Sequence, residues 1–243
     1  MPRNDSFLSS GRFYTLVGPP GAGKGTQAAG LCAALGIGYL STGDMMRAAA
    51  KAAGPEGDKL REYASSGHLA PDDFTNDMVA RRLDGFADGC LFDGYPRTVP
   101  QAQALDDALA ARDGRLAGAI HLDFPVQLLA GRLTGRRLCP QCGRSYHVRD
   151  LPPRREGLCD DDGAQLITRA DDITEKVALR LDAYQRQTAP LLDYYAASGR
   201  LISADARGSV SEVAQRLLAA IDDAERARIV ESRVRQAIRA GIL

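Results

Sequence analysis

Gly18-Pro19-Pro20-Gly21-Ala22-Gly23-Lys24-Gly25-Thr26 follows directly on the apolar run Phe13-Tyr14-Thr15-Leu16-Val17. An apolar run, a glycine-rich turn and then an alanine-rich stretch predict a buried strand, a tight loop and a helix from about Thr26 to Leu35. A loop of this kind wraps backbone N–H groups around an anion. The positive end of the helix and the Lys24 ammonium then neutralise phosphate charge. The loop departs from the usual pattern at one place, since Gly25 stands where a serine or threonine is usual and Thr26 comes one residue later. A magnesium ion carried by the phosphate therefore has no direct hydroxyl ligand here. It would rest on the phosphates and on waters held by an acid, for which Asp93 is the candidate.

Outward from the loop, strand and helix patterns alternate. Tyr39-Leu40 is followed by the capping turn Ser41-Thr42-Gly43-Asp44 ahead of Met45-Met46-Arg47. A helix is expected over Asp58 to Ser65, and Asp72 opens another that runs through Leu83. Gly89-Cys90-Leu91-Phe92 reads as a buried strand ending in Asp93-Gly94-Tyr95-Pro96-Arg97, and a helix runs from Pro100 to about Ala111. A strand over Ala117 to Phe124, a helix from Pro125, helical pattern from Ile173 to Tyr195 and a strand over Arg200 to Ala204 follow. Val210 to about Ala240 reads as one long helix or two. This order predicts an α/β fold, a parallel sheet flanked by helices, with the glycine loop at the carboxyl ends of the strands. From Arg136 to Arg169 the apolar period disappears and cysteine, proline, glycine and charge dominate, as in a small inserted module with its own staple.

The 243 residues are 44% apolar and 26% charged, with 31 Lys plus Arg against 31 Asp plus Glu. That balance argues against a nucleic-acid or anionic-membrane partner, and no apolar run is long enough to span a bilayer. Residues 1–11 carry neither a signal core nor an arginine-rich transit helix, so a cytoplasmic location is expected. Of five cysteines, three cluster in the inserted module, which in a reducing compartment favours metal over disulfides. Cys32 and Cys90 read as buried small hydrophobes, and His68 and His121 carry no motif.

Taken together, the glycine loop, Ser41-Thr42-Gly43-Asp44-Met45-Met46-Arg47 and Phe92-Asp93-Gly94-Tyr95-Pro96-Arg97-Thr98 make the chain resemble the adenylate kinases, nucleoside monophosphate kinases of the P-loop class, from about Phe13 to about Ile221. The resemblance implies a core of residues 12–40, 72–134 and 172–221. It implies an AMP-binding segment at 41–71 and a lid at 135–171, between an N-terminal extension, 1–11, and a helical extension, 222–243. It also implies magnesium-dependent transfer, ATP plus AMP to two ADP. Phosphoryl transfer asks for positioning and charge neutralisation, with little covalent work, and arginines suit that task.

By resemblance, Gly21, Ala22, Gly23, Lys24, Gly25 and Thr26 cradle the ATP phosphates, Arg132 lies against the ATP adenine, and Arg136 and Tyr146 belong to the ATP side. Thr42, Arg47, Ala70, Gly94, Arg97, Gln101, Arg169 and Arg180 form the AMP side. Lys24, Arg97, Arg136, Arg169 and Arg180 carry the catalysis. The Gln101 amide can donate to adenine N1 and accept from N6, whereas guanine sets donor against donor. Asp171-Asp172 would close the lid by polar contacts, and His147 reads as structural.

Cys139-Pro140-Gln141-Cys142 and Cys159-Asp160-Asp161-Asp162 have the spacing of a closed tetrahedral zinc site. The resemblance to zinc-lid members makes Asp162 the fourth ligand beside Cys139, Cys142 and Cys159. Asp160, Asp161 and His147 are the alternatives. With four protein ligands the metal is structural, ordering a lid too small for a core of its own.

Two features depart from the family pattern. Ser203-Ala204-Asp205-Ala206-Arg207-Gly208 replaces an Asp-Gly turn beside the ATP adenine. Val230, Val234, Ile238 and Ile242 form a narrow apolar stripe at spacing four on the extension. A monomer is expected, with association through that stripe as the alternative. Rival readings are a kinase for UMP, CMP or GMP and a nucleotide-binding scaffold without turnover.

Overall fold

In the computed structural model, residues 12–51, 54, 57–58, 60–61, 63, 70–169, 172 and 174–239 are described. Strand β1 (Arg12–Val17) turns Phe13 and Val17 to one face and Tyr14 and Leu16 to the other, all buried. A strand that is apolar on both sides belongs in the middle of a covered parallel sheet, and β1 lies there. With β2 (Gly38–Ser41), β3 (Gly89–Asp93), β4 (Leu116–Asp123) and the last strand, β7 (Leu201–Asp205), it forms a five-stranded sheet in the order β2-β3-β1-β4-β7. Every pairing in it is parallel. Two short strands, β5 (Arg136–Leu138) and β6 (Ser145–His147), pair antiparallel in the inserted module.

Helices α1 (Lys24–Leu35) and α8 (Val210–Arg239) cover one face of the sheet. Leu31, Leu35, Val213, Leu217 and Ile221 pack there on Tyr14, Leu16, Ile120 and Leu122. The other face is covered by α3 (Asp72–Ala80), α4 (Val99–Ala110) and α7 (Pro190–Ala197), through Val79, Leu105, Leu109, Leu191 and Tyr195. Truncating one of these buried leucines to alanine costs about 2–5 kcal/mol, a large share of a typical domain's stability. The remaining helices are α2 (Thr42–Ala49), α5 (Leu129–Thr134) and α6 (Thr174–Ala183).

Register decides where the site lies. Asp93 pairs with both Leu16 and Ser41, so β1, β2 and β3 end together and release the glycine loop, α2 and the Gly94 turn at one edge. Side-chain caps hold two of these exits: Ser41 Oγ accepts from Asp44 N at 3.2 Å, and Thr98 Oγ1 accepts from Gln101 N at 3.2 Å.

The helix expected from Ile173 to Tyr195 is interrupted. After α6, residues Tyr184–Thr188 form a wider π turn in which Ala189 N donates to Tyr184 O, five residues back, at 2.8 Å. Pro190 has no N–H to continue the regular ladder, and α7 restarts there. The final segment is one helix rather than two. The described residues include only part of the helix expected over Asp58 to Ser65; the extension at 1–11, His68, Asp171 and Ile242 lie outside them.

Candidate active site and lid metal centre

Gly18, Gly21 and Gly23 have φ of 151°, 87° and 102°, left-handed values that side-chain-bearing residues rarely adopt. Gly23 caps α1 in this conformation without a side-chain cap, and the first turn of α1 holds no acid. Its N–H groups are thus left for an anion. Lys24 Nζ folds back to donate to Gly18 O at 2.6 Å and Pro19 O at 3.0 Å.

Lys24 is pushed down to about 8, first by burial and then by the neighbouring Arg97, Arg180 and Arg136, with Asp93 acting in the opposite direction. Arg97 is likewise lowered by burial, and it feels Arg180, Arg47 and Arg169, with Asp93 again opposing. Six cations from separate stretches of the chain thus lie within electrostatic reach of Lys24 or Arg97. Two of them share a counter-ion: Asp172 Oδ2 accepts from Arg136 Nε at 2.6 Å, and Oδ1 accepts from Arg136 Nη2 at 2.5 Å and Arg180 Nη1 at 2.8 Å. The Asp172 side chain is fully buried.

On the acceptor side, Thr42 Oγ1 and Arg97 Nε both donate to Gly94 O at 2.8 Å. Gly94 has φ of 78°, and a Cβ there would stand 2.9 Å from Arg97 Nη2 and 3.0 Å from Thr42 Oγ1. Arg47 pairs with Asp44, and Ala70 is buried. Gln101 is buried, with Oε1 accepting from Arg97 N and Nε2 donating to Asp72 Oδ1, both at 2.7 Å.

Asp93 closes the site from the end of β3, its Oδ2 accepting from Tyr39 Oη at 3.0 Å. A Cβ at Gly25 would lie 3.5 Å from that same oxygen. With no side chain at Gly25 the loop brings only backbone to this carboxylate, and a carboxylate oxygen is the donor type that holds a magnesium-bound water.

In the lid, the ligand atoms of Cys139, Cys142, Cys159 and Asp162 all lie within 4.8 Å of one another. Cys142 Sγ is 3.5 Å from Cys159 Sγ, and Cys139 Sγ is 3.2 Å from Asp162 Oδ2. A tetrahedron with Zn–S bonds of about 2.3 Å has S–S edges of about 3.8 Å, so the donor set fits zinc.

The two halves repeat one turn. Cys139 N donates to Arg144 O and Gly143 N to Cys139 O, while Cys159 N donates to Ala164 O and Gly163 N to Cys159 O. Asp162 is held down at about 2, first by the Ala164 N–H on its Oδ1, so it is ionised. The alternative ligands are engaged elsewhere. Asp161 pairs with Arg144, Asp160 Oδ1 accepts from Arg154 N, and His147 Nδ1 accepts from Asp150 N at 2.9 Å. His147 Nε2 lies 3.5 Å from Gly131 O.

Two residues assigned to ATP stand differently from the rest. Tyr146 is in the lid interior, its hydroxyl donating to Cys159 Sγ and accepting from Asp160 N. Arg132 stacks on Phe124, its guanidinium carbon 4.4 Å from the ring centre, and Nη1 is buried without a hydrogen-bond partner among the described residues. The departing turn is braced: Ala206 N donates to Asp123 O, Arg207 N to Asp205 Oδ1, and Arg216 to the carbonyls of Asp205 and Arg207.

Cys90 is buried, and Cys32 donates to Gly38 O. On the extension, Tyr14 Oη donates to Glu225 and Arg228 to Ala117 O, while Ile229, Val230, Val234 and Ile238 are exposed. No helix among the described residues is long and apolar enough to cross a membrane.

Sequence reasoning missed Tyr39 and Asp72. Both act through side chains from other strands or helices, and the only signal was Asp72's place at a helix start.

The family description "Adenylate kinase" matches residues 16–200. The adenylate kinase of Carboxydothermus hydrogenoformans is 50% identical over 200 residues, 82% of this chain and 94% of that protein. That of Symbiobacterium thermophilum is 50% identical over 186 residues, 76% and 86% of the two chains. That of Desulfitobacterium hafniense is 46% identical over 209 residues, 85% and 96%.

Proposed function

The chain belongs to the adenylate kinase family, and from that premise we propose how its own residues perform the reversible transfer of the terminal phosphoryl of MgATP to AMP, giving two ADP. The observation that carries this reading is the convergence of Lys24, Arg47, Arg97, Arg136, Arg169 and Arg180 over an uncapped helix start. Such a site binds two nucleotides with their phosphate ends facing, and the transferring group's charge rises against fixed cations.

The loop N–H groups and Lys24 hold the ATP phosphates. Arg47, Arg97 and Thr42 hold AMP with the Gly94 turn, Ala70 and Gln101. Arg136, Arg169 and Arg180 lie over the transferring phosphoryl. The acceptor is already an anion, so no base is needed. Magnesium, when bound beside Asp93, screens the phosphate oxygens. Arg132 takes the ATP adenine opposite Phe124, and any ATP contact at Tyr146 is left to its backbone, because its hydroxyl is engaged.

Segments 41–71 and 135–171 act as the two mobile flaps on a core of 12–40, 72–134 and 172–221, excluding water as they close. Zinc on Cys139, Cys142, Cys159 and Asp162 gives the lid its rigidity. The protein works in the cytoplasm on small nucleotides, as a monomer or with association through the C-terminal helix as the alternative; a cysteine cluster grouped for a metal fits a reducing compartment.

The test is product formation from MgATP with AMP, UMP, CMP and GMP offered separately, read as diphosphate by chromatography. Fast turnover with AMP alone is expected. A faster rate with another monophosphate overturns the acceptor assignment.

A further inference from the structure

The Gln101 amide is held at each end by a group of fixed character. Its Oε1 accepts from the Arg97 main-chain N–H, and its Nε2 donates to Asp72 Oδ1. A backbone N–H can only donate, and an ionised carboxylate can only accept. Asp72 is tethered in turn, since Oδ2 accepts from Thr98 Oγ1 at 2.8 Å and the same Oγ1 accepts from Gln101 N. Asp72, Thr98 and Gln101 thus form a closed ring. Turning the amide over would set N–H against N–H at Arg97 and oxygen against carboxylate at Asp72.

We propose that Asp72 is a positioning residue for base selection, locking Gln101 in the amide orientation that accepts adenine and refuses guanine. The proposal rests on the reading of Gln101 as the residue that meets the base. A primary amide has two N–H donors and two oxygen lone pairs, and the protein takes one of each. One donor and one acceptor remain, in fixed order.

Adenine presents an acceptor at N1 and a donor at N6, whereas guanine presents a donor at N1 and an acceptor at O6. A free glutamine serves either base, because its last torsion is broad and roughly two-fold. Glutamine alone is therefore a poor judge between purines. Locked by Asp72 and the Arg97 N–H, it meets guanine with two like-against-like contacts, or must break two buried hydrogen bonds to turn over.

The test compares AMP and GMP, both as kcat/KM and as Kd by equilibrium dialysis, in the full chain. Asp72→Asn replaces an acceptor-only group with one that can present either character. The AMP-over-GMP preference should fall at least tenfold. Asp72→Ser, which keeps a residue favoured at helix starts, should do the same and covers the case in which Asn fails to fold. Gln101→Leu is the companion. Preference lost in Gln101→Leu but kept in both Asp72 variants overturns the lock and leaves Gln101 as the reader. Preference kept in all three overturns the Gln101 reading and the proposal with it. A merely structural role for Asp72 would weaken both nucleotides in step and leave the ratio unchanged, which also overturns the lock.

Discussion

Asp172 grips Arg136 through both carboxylate oxygens, at 2.5 and 2.6 Å, and shares Oδ1 with Arg180 at 2.8 Å. The carboxylate is fully buried while the arginine side chains keep 22% and 19% exposure. One acid therefore fixes two cations, one from β5 at the start of the inserted module and one from α6 beyond its end.

Asp172→Asn should lower both stability and kcat. Removing one partner of a buried ion pair costs about 3–5 kcal/mol, because two guanidinium groups lose their counter-charge and the new amide N–H group faces one of them as donor against donor. Thermal melting and steady-state rates check this. An unchanged midpoint would mean that the arginines are held by something else.

Arg97→Ala should reduce transfer by roughly a hundredfold or more, the loss typical of one charge-stabilising donor, while ATP still binds. Single-turnover rates and ATP titration separate the two effects, and normal turnover removes Arg97 from the reaction.

ATP affinity should fall as pH rises through about 8, where Lys24 loses its proton. The Lys24→Arg variant should show no such break. The same depressed value has a stability consequence of opposite sign. In the unfolded chain the lysine keeps its proton up to about 10.5, so between these values the unfolded state binds more protons and stability rises with pH. Binding and melting curves across pH 7–10 test both.

The lid should hold one zinc per chain, and Cys139→Ser with Cys142→Ser should lower the thermal midpoint without abolishing ATP contacts in the core. Asp162→Cys should slow release of the metal to a chelator, because thiolate suits zinc better than carboxylate. Elemental analysis and chelator kinetics are the checks. Protein that carries no metal, with melting unchanged by the serine pair, would end the zinc assignment.

Ending the chain after residue 228 should leave turnover unchanged, since Ile229, Val230, Val234 and Ile238 are exposed and, among the described residues, Glu225 and Arg228 are the last whose side chains hydrogen-bond to the core. Light scattering on both forms tests the oligomeric state. A wild-type dimer that the truncation dissolves would assign the stripe to self-association.

Local chemistry made the larger elements readable in advance. Gly18 to Gly23 reads as a tight loop, because its glycines permit left-handed backbone and its prolines forbid a ladder. The unbroken apolar run of β1 announced a buried strand, and Cys139-x2-Cys142 with Cys159-x2-Asp162 announced a metal staple. The break at Tyr184 was less visible, because Pro190 sits in a sequence whose apolar period runs straight through it.

What the sequence determined by itself was the set of elements, the phosphate loop and the residue types available to it, since these depend on neighbours within a few positions. Which arginines meet, that Asp172 joins two of them, that Tyr39 reaches Asp93 and that Asp72 orients Gln101 were decided only by tertiary structure. Those contacts join residues far apart in the chain. The parallel register, which ends β1, β2 and β3 at one edge, brings the glycine loop, Thr42 and Gly94 together, and no local pattern in the chain encodes that edge.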